Sequence, residues 1–214
     1  MKTGGRSLLI LGLAAVGVVL GVLLFQRLRT GVPRSALSHR EVATRVLAEY
    51  LAAQNSGKRV LVISNPFTRE KGHSPQIYAY EEAGIGGLRK GFGNAWTIKV
   101  VFPALRPEVH QSPGSVYVDP KTTTPMSFLV ANDAFDVLAN QNSDSDIIVS
   151  LIGLPVNVSR SGIWQSPEKP RFALLLPDWR FVGAPDAVRN AIKSGKIVAA
   201  VINKPGAPAE TIPL

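Results

Sequence analysis

Five short apolar runs, each closed by a proline, constrain the fold of this chain more than any motif in it. They cover residues 59–66, 97–103, 146–155, 171–177 and 196–205, and end at Pro66, Pro103, Pro155, Pro177 and Pro205. Each is rich in Val, Ile and Leu and largely apolar on both faces. That is the pattern of a strand covered by helices on both sides of a parallel sheet. Proline lacks the N–H that a ladder needs, so it ends the pairing. Helical patterns separate several of the runs. The expectation is a three-layer α/β domain with a mostly parallel, doubly wound, five-stranded sheet. Ile148, Val62 and Leu175 sit mid-run and are expected to share the sheet core.

A second segment is set apart by composition. Residues 7–25 carry no charge, and their 19 residues span roughly the 30 Å of a bilayer's hydrocarbon core. Lys2 and Arg6 precede this run, and Arg27, Arg29 and Arg34 follow it. Leu24 and Phe25, then Gln26 and Arg27, stand where a signal peptidase would need small residues, so the run reads as a retained anchor. The expected organisation is a cytoplasmic N-terminus (1–6), a transmembrane helix (7–25), a linker (26–36), an α/β domain (37–205) and a loose tail (206–214). One span followed by one soluble domain is the usual plan of an exported, tethered domain. This places the chain in a bacterial inner membrane with the domain on the periplasmic side.

The net charge of +9 falls to +5 beyond Thr30, where 20 Lys and Arg face 15 Asp and Glu. A dispersed excess of this size suits a surface near anionic lipid. No nucleic-acid-binding motif accompanies it, so the lipid bilayer is the expected partner and nucleic acid is not. The chain has no cysteine, which removes disulfides and thiol chemistry.

Along the domain, Ser38 and Glu41 have the spacing of a capping box, with Leu37 and Val42 placed as its staple. Val42, Val46, Leu47 and Tyr50 form the apolar stripe expected to pack this helix on the first strand. Ser74 and Pro75 open a second helix that contains Gly84, Gly86 and Gly87, a composition suited to close approach to the sheet. Residues 106–124 and 156–170 read as long surface excursions. Residues 125–140 read as helix, broken near Asn132 and Asp133.

Catalytic signatures are missing. The glycines from Gly84 to Gly93 lack dinucleotide spacing, because Arg89 stands at the third glycine position and the run lies inside a helix. There is no P-loop and no nucleophile elbow. His39, His73 and His110 are dispersed, and Asp144 and Asp146 form a turn-like pair rather than a metal cluster. No catalytic residue, metal ligand or cofactor is therefore assigned. In a doubly wound sheet, ligands bind in the crevice at the carboxyl ends of the strands. That edge carries Ser64, Asn65, Gly153, Asp178, Trp179, Asn203 and Lys204, the candidate ligand-binding residues.

The run 58–63, the glycine-rich helix 82–91 and the segment 133–138 leading into 146–149 resemble one lobe of the type I periplasmic binding-protein superfamily. The pattern is shared with flavodoxin-like domains and covers about 58–204. The resemblance implies a ligand-binding α/β lobe. The chain has room for one lobe where the family closes two, and no family ligand residue carries over. Two functions are expected from these readings. One is a non-catalytic, membrane-tethered domain that binds a small molecule or a partner protein at its strand-end crevice. The other is an accessory subunit of a membrane complex, held through a span in which Gly17 and Gly21 form a small-xxx-small seat for a neighbouring helix.

Overall fold

The computed structural model describes residues 32–55, 59–72, 74–167 and 170–203. The proposed anchor at 7–25 with Gly17 and Gly21, the tail, His73 and Lys204 lie outside the described residues. Among the described residues no helix is long and apolar enough to cross a membrane.

All five apolar runs form strands: β1 (Arg59–Ile63), β2 (Thr97–Val101), β3 (Ile147–Ser150), β4 (Arg171–Leu175) and β5 (Ile197–Val201). They make one sheet in the order β2-β1-β3-β4-β5, with every pairing parallel. This is one of the common doubly wound orders, and its switch point lies between β1 and β3. Val62 sits at the centre, beside Val100 of β2 and Val149 of β3.

Helices α1 (Arg34–Gln54) and α2 (Pro75–Phe92) cover one face of the sheet. The other face carries α4 (Met126–Leu129), α5 (Ala134–Gln141), α6 (Gly162–Gln165) and α7 (Pro185–Lys193). The short α3 (Pro107–Gln111) lies in the connection from β2. Ile148, Val62 and Leu175 are all buried, but not in one core. Ile148 faces the α5 side, whereas Val62 and Leu175 face α1 and α2, because neighbouring positions of a pleated strand point to opposite faces.

Helix α1 differs from the sequence expectation in three respects. It starts a turn earlier, because the Pro33 carbonyl already accepts the N–H groups of Ala36 and Leu37. Ser38 therefore lies inside the helix and the capping box does not form. Its buried face is Arg40, Thr44, Leu47, Ala48 and Leu51, while Val42, Val46 and Tyr50 are each about half exposed. The helix also lies beside α2, over β4 and β5, rather than above β1.

The glycines of α2 explain this packing. A Cβ on Gly87 would stand 2.1 Å from Thr44 Oγ1 and 2.2 Å from the Glu41 carbonyl oxygen. One on Gly91 would meet the Arg45 carbonyl at 2.4 Å, and one on Gly84 would meet Arg40 Nε at 3.0 Å. The close approach permitted by these glycines is therefore to α1 and not to the sheet. Gly86 faces open space.

The two long excursions are partly ordered. Residues 106–124 hold α3 and a 3-10 turn, and 156–170 hold a 3-10 turn and α6. The break expected near Asn132 is present. The chain leaves α4 at Val130, which bridges to Leu105, before α5 begins.

Gly87→Ala should force α1 and α2 apart and cost about 1–3 kcal/mol in chemical denaturation. Gly86→Ala, on the same helix, should stabilise by about 0.5–1 kcal/mol through helix propensity alone.

Candidate functional site

The carboxyl ends of β1 and β3 meet at the switch point, where the sheet geometry places a ligand crevice. In this protein the space is filled by its own side chains. Arg40 reaches in from α1 and donates through Nη2 to Glu81 Oε1 of α2 at 2.7 Å and to the Leu151 carbonyl at 3.1 Å. Its guanidinium also lies over the Tyr80 ring, 4.5 Å from the centroid. The second carboxylate oxygen of Glu81 accepts from Ser64 Oγ at 2.6 Å and from the Asn65 N–H at 3.3 Å. Arg40 and Glu81 are only 3% and 4% exposed. Each carboxylate oxygen has a donor, which is the condition for a buried charge to be tolerated. Arg40 Nε is buried without a hydrogen-bond acceptor, next to Gly84.

The long excursion after β2 closes the same edge from the other side. A Cβ on Gly153, which has φ +81°, would meet Thr124 side-chain atoms at 2.5–3.0 Å, so threonine sits where a ligand would approach. Thr124 in turn accepts from Ser127 Oγ at 2.9 Å, and its N–H donates to Thr122 Oγ1 at 3.1 Å. Thr123 Oγ1 donates to the Leu176 carbonyl at 3.3 Å. Leu176 is the one non-glycine among the described residues with positive φ, at 47°. That conformation costs on the order of 1–2 kcal/mol. It is held by the Leu176 N–H donating to Val201 O at 2.8 Å, and it turns the chain out of β4 toward Thr122.

Asp178 follows this turn and is fully engaged. Its carboxylate accepts from Thr122 Oγ1 at 2.9 Å, from Arg180 Nε at 2.8 Å and from Arg180 Nη2. It also caps the 3-10 turn Trp179–Phe181 through the Arg180 N–H. Arg180 Nη1 extends the network to Asp119 at 2.6 Å. Burial by itself would raise the Asp178 carboxyl, but the hydrogen bonds from Arg180 and Thr122 outweigh it and hold the group below the usual carboxylate range. Asp119 is also held low, first by the Lys121 N–H and then by Arg180.

Apart from Lys204, which lies outside the described residues, the residues read from the sequence as a ligand site thus lie along the strand-end edge, engaged within the protein or exposed beyond it. Ser64, Asn65 and Gly153 bind Glu81 or pack on Thr124. Asn65 Oδ1 additionally accepts the Phe67 N–H at 3.0 Å. Trp179 is half-buried against the core, and Asn203 is exposed two residues beyond β5. The open volume left among Arg40, Glu81, Asn65, Thr124 and Leu176 is about 40 Å³. That is enough for about one water at liquid density, not for a nucleotide or a sugar.

The charged residues that close the crevice were hidden in the sequence. Arg40 shares a helical face with Thr44, Leu47 and Leu51, and Glu81 shares one with Ile85 and Leu88. That periodicity is the available signal. Thr122, Thr123 and Thr124 lie in a segment with no period to read.

Outside the closed crevice the same edge carries an aromatic row, exposed at Tyr117 and half-buried at Phe128 and Phe181. Tyr117, 72% exposed, meets Phe128 edge-on at 6.2 Å, and Phe128 meets Phe181 at 5.4 Å. Arg180 lies exposed beside Phe181. Among the described residues no group of His, Cys, Asp or Glu has the arrangement of a metal site. Comparisons of the chain with protein-family models, with curated proteins and with solved structures gave no match.

The lowered Asp178 carboxyl fixes the sign of a pH effect. A depressed folded-state value contributes stability that is fully present above the unfolded value near 3.9 and is lost as pH falls through the folded value. The melting temperature of the protein should therefore drop below about pH 4. Asp178→Asn should make that acid limb shallower without removing it, because Asp119 retains its own contribution.

Proposed function

We propose that this protein is a non-catalytic binding domain, tethered to the periplasmic face of a bacterial inner membrane by residues 7–25, whose strand-end rim docks a partner protein. The observation that carries this reading is the contrast at one edge of the sheet. The crevice is filled by the Arg40–Glu81 pair and Thr124, leaving about 40 Å³, while Tyr117, Phe128, Phe181 and Arg180 stand around it. Drug-sized ligands occupy concave volumes of several hundred Å³, many times what the crevice leaves. Protein interfaces draw their energy from Tyr, Trp and Arg with a polar rim. The uncharged run 7–25 and the basic residues around it support the tether. The strand order supports a flavodoxin-like or single-lobe binding-protein plan, here used without a ligand cleft.

A second reading has its own support. Val42, Val46 and Tyr50 recur at every fourth position of α1 and remain about half exposed. A helix of this kind, beginning soon after the proposed span, suits an accessory subunit whose contacts run from the membrane into α1, with Gly17 and Gly21 in the span.

A photocrosslinking residue placed at Tyr117, at Val46 or at the control position Val137 separates the two in intact cells. The rim reading expects a discrete protein adduct from position 117 and none from 46 or 137. Adducts from 46 alone would establish the accessory reading in its place.

A further inference from the structure

A second cavity, on the opposite face of the sheet, is unrelated to the strand-end rim. It lies between α5 and α6 and extends toward the amino ends of β3 and β4, with a volume of about 260 Å³. Its apolar floor includes Leu61, Ile148 and Ile163, and its polar wall includes Asp136, Asn140 and Ser145. Among the described residues that line it, Asp136 is the one charged side chain. One oxygen of that carboxylate accepts the Ile163 N–H at 2.8 Å. Among the described residues no Lys, Arg or His pairs with it. Asp136 lies in the first turn of α5, and the last turn of the same helix forms another part of the wall.

We infer that this cavity binds a small organic monocation, of the alkylammonium class, with its ammonium at Asp136 and its hydrocarbon on Leu61, Ile148 and Ile163. The lining selects this chemistry in three steps. A single carboxylate that pairs with no cation among the described residues, with hydroxyl and amide neighbours, favours a donor of one positive charge. A hard metal ion is disfavoured, since calcium or magnesium needs about six oxygens and usually several carboxylates. The aliphatic floor favours a ligand with an apolar end, and the volume limits it to on the order of ten heavy atoms. Among the described residues, Lys196 stands on the α6 side of the cavity. Its ammonium donates to the Ser166 carbonyl at 2.7 Å and the Pro170 carbonyl at 3.1 Å, so it braces the α6 side of the cavity. A bound ammonium is therefore directed to the Asp136 side.

The test is a thermal-shift titration of the full chain in detergent micelles with n-butylammonium, butanol and butyrate as probes. Butylammonium should raise the melting temperature saturably with an apparent dissociation constant of about 1 mM, the value expected for so few heavy atoms. Butanol and butyrate should bind at least tenfold more weakly. Asp136→Asn keeps an acceptor for the Ile163 N–H and removes the charge, and should weaken butylammonium at least tenfold. Asn140→Lys, on an exposed part of the wall, introduces a competing ammonium and should do the same without touching α5 packing. An equal response to butanol, no saturable response to butylammonium, or a butylammonium response that survives both substitutions would overturn the assignment.

Discussion

Arg40 and Glu81 tie four pieces of chain together at one point. The guanidinium comes from α1, the carboxylate from α2, and their remaining bonds go to Ser64 and Asn65 after β1 and to the Leu151 carbonyl after β3. An ion pair buried this deeply gains little over an apolar pair of the same size, because both charges lose their water. Its effect is on geometry. The carboxylate has donors on both oxygens, and only one placement of α1 against α2 supplies them all. Gly84, Gly87 and Gly91 make that placement reachable by bringing the helix backbones into contact. The glycine stripe and the ion pair are two parts of one constraint, and losing either leaves a charge or a clash in the interior.

This constraint also determines what the sheet edge can do. A doubly wound sheet leaves a crevice at its switch point because the flanking connections diverge there. Here α1, which precedes β1 in the chain, lies beside α2 on the same face and sends Arg40 into the opening. Thr124 closes the space over Gly153, and the left-handed Leu176 brings Asp178 against Thr122. The switch point, which holds a cofactor in many α/β proteins, is packed and hydrogen-bonded in this one. The two binding sites proposed above therefore lie away from this crevice, at the aromatic rim and, on the other face, in the cavity beside Asp136.

The strands were legible because a buried parallel strand needs an uninterrupted aliphatic run, and the prolines marked where each run ended. Side-chain alternation was less legible. Ile148 and Val62 are equally apolar, and only the pairing register assigns them to opposite faces. The buried face of α1 departs from the hydropathy pattern for a physical reason. Val42, Val46 and Tyr50 are more apolar than Arg40 and Thr44, so any hydropathy argument turns the helix the wrong way. Arg40 is stable inside only because Glu81, 41 residues later, meets it there. A pairing at that separation leaves no local trace. The strand-end positions were correctly located at Ser64, Asn65, Gly153 and Asp178, but their polar groups serve the protein itself. Position along a strand is encoded locally, whereas the partner of a polar side chain is not.

A double-mutant cycle on Arg40→Met and Glu81→Leu, followed by chemical denaturation, tests the central claim most directly. Each single substitution leaves an uncompensated buried charge and should cost about 3–5 kcal/mol. The double variant replaces the pair by apolar side chains and should recover most of that loss, a strongly non-additive result. Single losses below about 1 kcal/mol that add to within about 0.5 kcal/mol would show that the two residues neither meet nor hold α1, α2 and the strand ends together.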